Sequence, residues 1–341
     1  MNHISEFNLV GVRLLRFRMN IKYAEKSIQT ERFNTAVLFV VFNRLNTTSQ
    51  VFETIRNAKP LRLYVAADGP RLNVPDDIQK TQEVRDFILE NIDWDCEVKT
   101  LFREENLGCG RAVKTAIDWF FTNEDSGIIL EDDVVPLHSF FYFCSSLLEI
   151  YSKDDRIAMI SGINHVHYKP NNYSYLYSKN KGCWGWATWK RAWDNMDYEM
   201  KWRETSENRF VIKNMGVTSY SLTYWKNSLA LIDNKVVDAW DWQWYFSIAA
   251  HNQLCIFPEI NLIKNIGFGS QATHTKGKPR NEFFTGPEIL FPLRHPPSIC
   301  PNYEFDQLVE SLDMRKNIKH KVLILLPLFL QRTLRRLYHG I

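Results

Sequence analysis

The chain has 341 residues, and no two of its six cysteines form a Cys-x-x-Cys pair; Cys96, Cys109, Cys144, Cys183, Cys255 and Cys300 lie far apart. A zinc ribbon or a dense secreted disulfide framework would space them closely, so they read as free thiols of a reducing compartment. No run reaches the ~20 apolar residues that cross a bilayer. A secretory leader is not legible either, because Arg13, Arg16 and Arg18 break the apolar core it would need. Excess charge of one sign is also missing. The 42 Lys and Arg against 39 Asp and Glu leave +3, too mild for a nucleic-acid binder and without a basic stripe, which disfavours a metal nuclease. Glycine is absent where a phosphate loop would need it. The stretch Phe42-Asn-Arg-Leu-Asn46 after the first apolar run has none, which argues against a dinucleotide-binding oxidoreductase and a P-loop NTPase.

What is present is an alternation. Ala36–Val41 is a continuous apolar run, as in a strand buried on both faces. Asn46-Thr-Thr-Ser49 offers helix caps, and Val51 and Ile55 begin an apolar stripe. Leu61–Ala66, Cys96–Leu101, Gly127–Leu130 and Ile157–Ile160 read as further strands. Between them, Val84/Phe87/Ile88/Ile92 and Val113/Ala116/Ile117/Phe120/Phe121 mark helical faces. This order predicts an α/β, mostly parallel, doubly wound Rossmann-like sheet, whose ligands bind beyond the carboxyl ends of the strands. Beyond Gly162 the chain is rich in Trp, Tyr and Asn, and 222–232 and 242–250 look helical. The expected organisation is an extension over 1–32, a ligand-binding half over 33–135, a second half of the same domain over 136–295, and a tail over 296–341. In that tail, basic residues from Arg315 to Arg336 flank the apolar 322–330 segment, a pattern suited to a helix lying on an anionic membrane surface.

The most informative segment is Gly127-Ile-Ile-Leu-Glu131-Asp132-Asp133. Three carboxylates at a strand end repel one another unless a cation neutralises them. An oxygen-preferring divalent ion, Mg2+ or Mn2+, is the natural partner, filling its other positions with diphosphate oxygens and water. A solvated acidic turn is the plainer alternative. Asp68 ends a second strand in the same way and is suited to a nucleobase or a ribose hydroxyl, or simply to an Asp-Gly turn. Arg44 suits phosphate or base, or a plain surface position. Asn106 and Gly108 precede a helix in a turn whose N–H groups suit donor phosphate or ribose, or that is a simple helix entry.

These features together resemble the GT-A glycosyltransferases with a DxD-type motif, in an order similar to the Golgi N-acetylglucosaminyltransferase that initiates complex N-glycans and to related bacterial sugar transferases. Gly182-Cys-Trp-Gly-Trp-Ala-Thr-Trp189, Ala239-Trp-Asp-Trp-Gln-Trp244, Ile260–Gly269 and Ala272-Thr-His274 continue the match, which covers about residues 35–275. The resemblance implies an inverting transfer from a nucleotide sugar, with UDP favoured, to an acceptor hydroxyl on a glycan or lipid-linked acceptor. Asp133 and His274 would hold the metal. Asp241 would be the general base, with Asp238 as fallback, because the family's paired aspartates are split here. Arg44, Asp68, Asn106, Gly108, Glu131, Asp132 and Trp186 would bind the donor. Trp184, Trp186, Trp240 and Trp242 would form an apolar wall for sugar faces, or belong to an ordinary aromatic core. Two competing readings are a sugar-nucleotide nucleotidyltransferase, which would usually carry a basic Gly-rich loop after the first strand, and a non-catalytic carbohydrate- or membrane-binding protein. A cytoplasmic enzyme on the membrane face, serving surface polysaccharide or lipid-linked glycan synthesis, fits the tail.

Overall fold

The computed structural model describes residues 33–206, 208–267 and 286–313, together with 326, 327 and 330. His274, the 1–32 extension and nearly all of the 315–336 tail lie outside the described residues. The predicted strands are formed: β1 (Val37–Val41), β2 (Arg62–Ala67), β3 (Glu97–Phe102), β4 (Ser126–Glu131) and β6 (Ile157–Ser161). The short β5 (Val134–Pro136) follows the acidic triplet. Later strands are β7 (Tyr175–Ser178), β8 (Trp186–Trp189), β9 (Leu254–Pro258) and β10 (Ile263–Asn265).

Eight strands form one sheet in the order β3-β2-β1-β4-β8-β6-β9-β7. The first four are mutually parallel, which suits the doubly wound expectation. Beyond β4 the sheet is mixed: β8 runs antiparallel to both β4 and β6, while β9 is parallel to β6. The physical reason is β8, which comes from the Trp-rich stretch where regularity seemed lost. All four of its residues are buried, and it wedges between β4 and β6 at the centre of the sheet. At the other edge, β3 keeps Glu97 exposed and is only partly covered. Charge on such a strand discourages edge-to-edge pairing.

Helices fill the connections: α1 (Leu45–Ala58), α2 (Asp77–Glu90), α3 (Cys109–Phe121) and α4 (His138–Ile150). Helix α1 buries Val51, Phe52, Ile55 and Ala58, the stripe expected from spacing. Its start differs from expectation, because Asn46–Ser49 do not cap it; the helix begins at Leu45, with Arg44 at the cap and no side-chain cap bond. The next elements are short: α5 (Lys190–Trp193), a 3-10 turn (Lys201–Glu204) and α6 (Asn208–Lys213). Longer helices follow as α7 (Ser219–Asp233), α8 (Asp241–Ala250) and α9 (Tyr303–Asp313).

Helix α9 is fastened by two fully buried carboxylates, Asp306 and Glu310. Asp306 accepts hydrogen bonds from Ser178, Lys179 and Asn180, and Glu310 from Val217 and Thr218. Burying such groups is tolerable only with their acceptors satisfied, as here. All six cysteines are free, as their spacing suggested. Among the described residues no helix is long and apolar enough to cross a membrane.

Candidate active site at the carboxyl ends of the parallel strands

The four parallel strands deliver their candidate residues to one end of the sheet. Arg44 follows β1, Asp68 follows β2, Asn106 and Gly108 follow β3, and Glu131-Asp132-Asp133 end β4. Arg44 does not stand free to meet a ligand; it lies on the acids. Its Nε donates to Asp132 Oδ2 at 3.3 Å, its Nη2 donates to Asp132 Oδ1, and the same Nη2 donates to Asp133 Oδ2 at 2.9 Å. Burial works against the guanidinium charge. Asp132 and Asp133 outweigh it and push Arg44 above its ordinary range. Part of the cation that the acidic triplet requires is therefore built into the chain.

One guanidinium is not enough. Burial, reinforced by Asp133, Asp132 and Asp241, lifts the Glu131 carboxyl to about 8, although the residue keeps some surface contact. Burial also lifts Asp132 despite Arg44. A carboxyl held above its usual range contributes stability below the ordinary pH of its titration and loses it as pH rises through the folded value. For Glu131 that window runs from the ordinary value of 4.5 to about 8. Glu131→Gln, unfolded thermally in the presence of chelator, is therefore expected to be more stable than the parent at pH 8 by about 1–3 kcal/mol. That is roughly 2–4 °C for each kcal/mol, and the gain should shrink toward pH 5. A gain that does not change with pH would mean that Glu131 is not held under charge repulsion.

Asp241 comes from the other half of the chain. It opens α8, where its own backbone N–H and that of Trp242 donate to it, and burial outweighs both to raise it to about 6. Its charge is felt at Glu131. Asp238, three residues earlier, is exposed and takes a different position. A Cβ on Gly108 would stand 2.9 Å from its Oδ2, so Asp238 lies over the entry to α3. Gly108 also has φ of +79°, a conformation that favours glycine.

Asp68 and Asn106 are engaged with each other. Asp68 accepts from Asn106 Nδ2 at 3.0 Å, from Leu107 N–H at 3.1 Å and from Gly108 N–H at 3.2 Å. Two of the N–H groups that might have faced phosphate are thus spent on holding the loop to β2. Trp186 requires a correction. It is 0% exposed and stacks on Trp240 with a ring separation of 5.7 Å. As part of central strand β8 it faces the core, with Trp193 and Trp244, rather than a donor. Trp240 is buried in the same cluster, whereas Trp184 and Trp242 are half-buried.

Several site residues were missed in the sequence. Cys109, at the start of α3, lies within the field of Glu131, Asp238, Asp241 and Asp133, and burial raises its thiol well above the usual range. Tyr245 is buried one turn after Asp241, and its hydroxyl accepts the Cys183 N–H at 3.1 Å. The i, i+4 spacing of Asp241 and Tyr245 was a usable signal. Gly267 is the third. The β10–β5 pairing brings Ile266 N–H to Asp133 O at 2.8 Å, and a Cβ at Gly267 would collide with the Asp133 carboxylate.

Among the described residues no group of three His, Cys, Asp or Glu side chains is arranged to hold an ion. A Mg2+ or Mn2+ site does not require one, because such ions take one or two carboxylates and complete their shell with phosphate oxygens and water. Asp132 and Asp133, with Arg44 as the guanidinium in contact with both, fit a hard divalent ion in charge and donor type.

No family model matches this chain. No curated protein matches it. Among solved structures it is similar to HddC from Yersinia pseudotuberculosis, at 13% identity and a TM-score of 0.29 over 46% of this chain and 77% of that one. UDP-glucose pyrophosphorylase complexed with UDP-glucose aligns at 10% identity and a TM-score of 0.25 over 42% of this chain and 62% of that one. The apo form of UDP-glucose pyrophosphorylase aligns at 9% identity and 0.33 over 66% and 90%. Scores this low leave the site and reaction of this chain to be read from its own residues.

Proposed function

We propose that the protein is a metal-dependent, inverting glycosyltransferase of GT-A type, moving a sugar from a nucleotide sugar, with UDP favoured, to an acceptor hydroxyl. The observation that carries this reading is the meeting of two kinds of carboxylate at one strand end. Glu131, Asp132 and Asp133 form an anionic cluster, and the charge of Asp241, whose carboxyl is raised to about 6, reaches Glu131 from the start of α8. A bound Mn2+ or Mg2+ would neutralise charge developing on the departing diphosphate. Asp133 would hold that ion, with His274 as a second candidate ligand. Asp132, fixed by Arg44, keeps Asp133 oriented, and Glu131 stands where it can meet a ribose or sugar hydroxyl. Asp241 accepts the acceptor's proton as its oxygen attacks. Asp68 and Asn106 shape the donor side by fixing the 105–108 loop, and half-buried Trp184 and Trp242 provide apolar faces for sugar rings.

A nucleotidyltransferase asks for a basic, glycine-rich loop after β1 to activate a nucleoside triphosphate. Here that loop lacks glycine and its Arg44 is tied to Asp132 and Asp133. The proposed acceptor is a glycan or lipid-linked saccharide at the cytoplasmic membrane face, approached through the basic tail 315–336.

The test is a panel of UDP-, GDP-, dTDP- and CMP-sugars incubated with Mn2+, following release of nucleotide. Slow, metal-dependent hydrolysis of one donor class is the expected result. Release of pyrophosphate from a nucleoside triphosphate and a sugar phosphate, with no donor hydrolysis, would move the assignment to nucleotidyltransfer.

A further inference from the structure

The ion pair between Arg44 and Asp133 presents a conflict. Asp133 Oδ2 already receives Arg44 Nη2 at 2.9 Å, and a Cβ on Gly267 would collide with the same carboxylate. Both partners of the pair are largely withdrawn from water, with side chains 17% and 19% exposed. A divalent ion would approach such an oxygen to about 2.0–2.2 Å. A metal ion on this carboxylate and the Arg44 guanidinium beside it repel one another strongly in so sheltered a place. The guanidinium has a second carboxylate, Asp132, to hold it, so it is the group that gives way. Arg44 can leave Asp133 while keeping Asp132, because Nε and Nη2 both reach Asp132. The N–H it then frees needs an acceptor, and a diphosphate oxygen offers a charged one of matching geometry.

We propose that Arg44 is an internal cation that closes Asp133 to metal until a nucleoside diphosphate gives the guanidinium a replacement anion. The inference rests on the nucleotide-sugar reading of this site and adds an order to it: metal and nucleotide bind together, each weakly alone. Reciprocity then requires Mn2+ to tighten nucleotide by the factor by which nucleotide tightens Mn2+. Arg44 is in this sense a positioning residue, acting on the metal site through Asp133.

The experiment measures binding rather than turnover. Free Mn2+ is titrated with the full chain by electron paramagnetic resonance, with and without UDP. The parent is expected to bind Mn2+ at least about tenfold more tightly with UDP than without, within the usual range of coupling between sites. Arg44→Gln, which keeps a donor for Asp132 but no charge, is expected to bind Mn2+ alone about tenfold more tightly than the parent, and most of the UDP effect should vanish. If Arg44→Gln does not fold by circular dichroism, Arg44→Met carries the same expectations. Unchanged or weaker Mn2+ binding by the variant, or a UDP effect of undiminished size, overturns the proposal, as does failure of the parent to bind Mn2+ under either condition. Mutual tightening of Mn2+ and UDP that is lost in the variant, without sugar transfer from any donor, would uphold this inference while rejecting the transferase reading.

Discussion

Asp133→Ala is expected to lower Mn2+-dependent nucleotide-sugar turnover by at least about 10³-fold while leaving the fold intact. The size follows from what the ion supplies. A nucleoside diphosphate leaves only if its new charge is met, and preorganised charge stabilisation of this kind is commonly worth several kcal/mol. The fold should survive because the backbone of Asp133, not its side chain, pairs with Ile266. Its removal also relieves part of the repulsion on Glu131, since Asp133 is the leading charge acting on that group. Turnover with Mn2+ and a circular dichroism melt, measured on the same preparation, check both halves. Parent-like turnover in the variant would remove Asp133 from the metal.

The second large effect is at Asp241. Asp241→Asn is expected to lose about 10²–10⁴ of the transfer rate, the range for a positioned general base, with UDP and Mn2+ binding kept within a few-fold. The pH profile supplies an independent check. Burial holds the Asp241 carboxyl up at about 6, so a base at this position is protonated and inactive below that pH and ionised above it. The parent's kcat/KM should therefore rise with pH through about 6, and the residual activity of the Asn variant should lack that limb. Asp238→Asn serves as the contrast. Asp238 is exposed over the entry to α3, so its loss is expected to leave the limb in place. If the limb disappears with Asp238 instead, the base is there.

How much of this was legible in the sequence varies with the physics involved. The strands β1, β2, β3 and β4 were readable because burial on both faces of a parallel sheet leaves continuous apolar runs, and a strand end followed by acids locates the site. The central strand β8 was not. Its Trp186-Ala-Thr-Trp189 run is short and aromatic, and only its insertion between β4 and β6 makes it a strand. For the same reason the sequence left Trp186 open between a sugar wall and the core, and the structure puts it in the core. The capping expectation at Asn46–Ser49 failed because the helix already begins at Leu45, which puts those residues inside its first turns.

Residue type and local order sufficed for an α/β sheet, an anionic cluster at Glu131–Asp133 and an aspartate among tryptophans at Asp241, because these depend on neighbours in the chain. Which groups touch was decided by the tertiary structure alone. Asp68 turned inward onto the 105–108 loop, Asp241 came within the field of Glu131, and Arg44 took Asp132 and Asp133 in place of open solvent. Electrostatic pairing depends on distance and on shielding from water, and neither is a property of one residue or its sequence neighbours; both arise only when segments as far apart as 44, 133 and 241 are packed against one another.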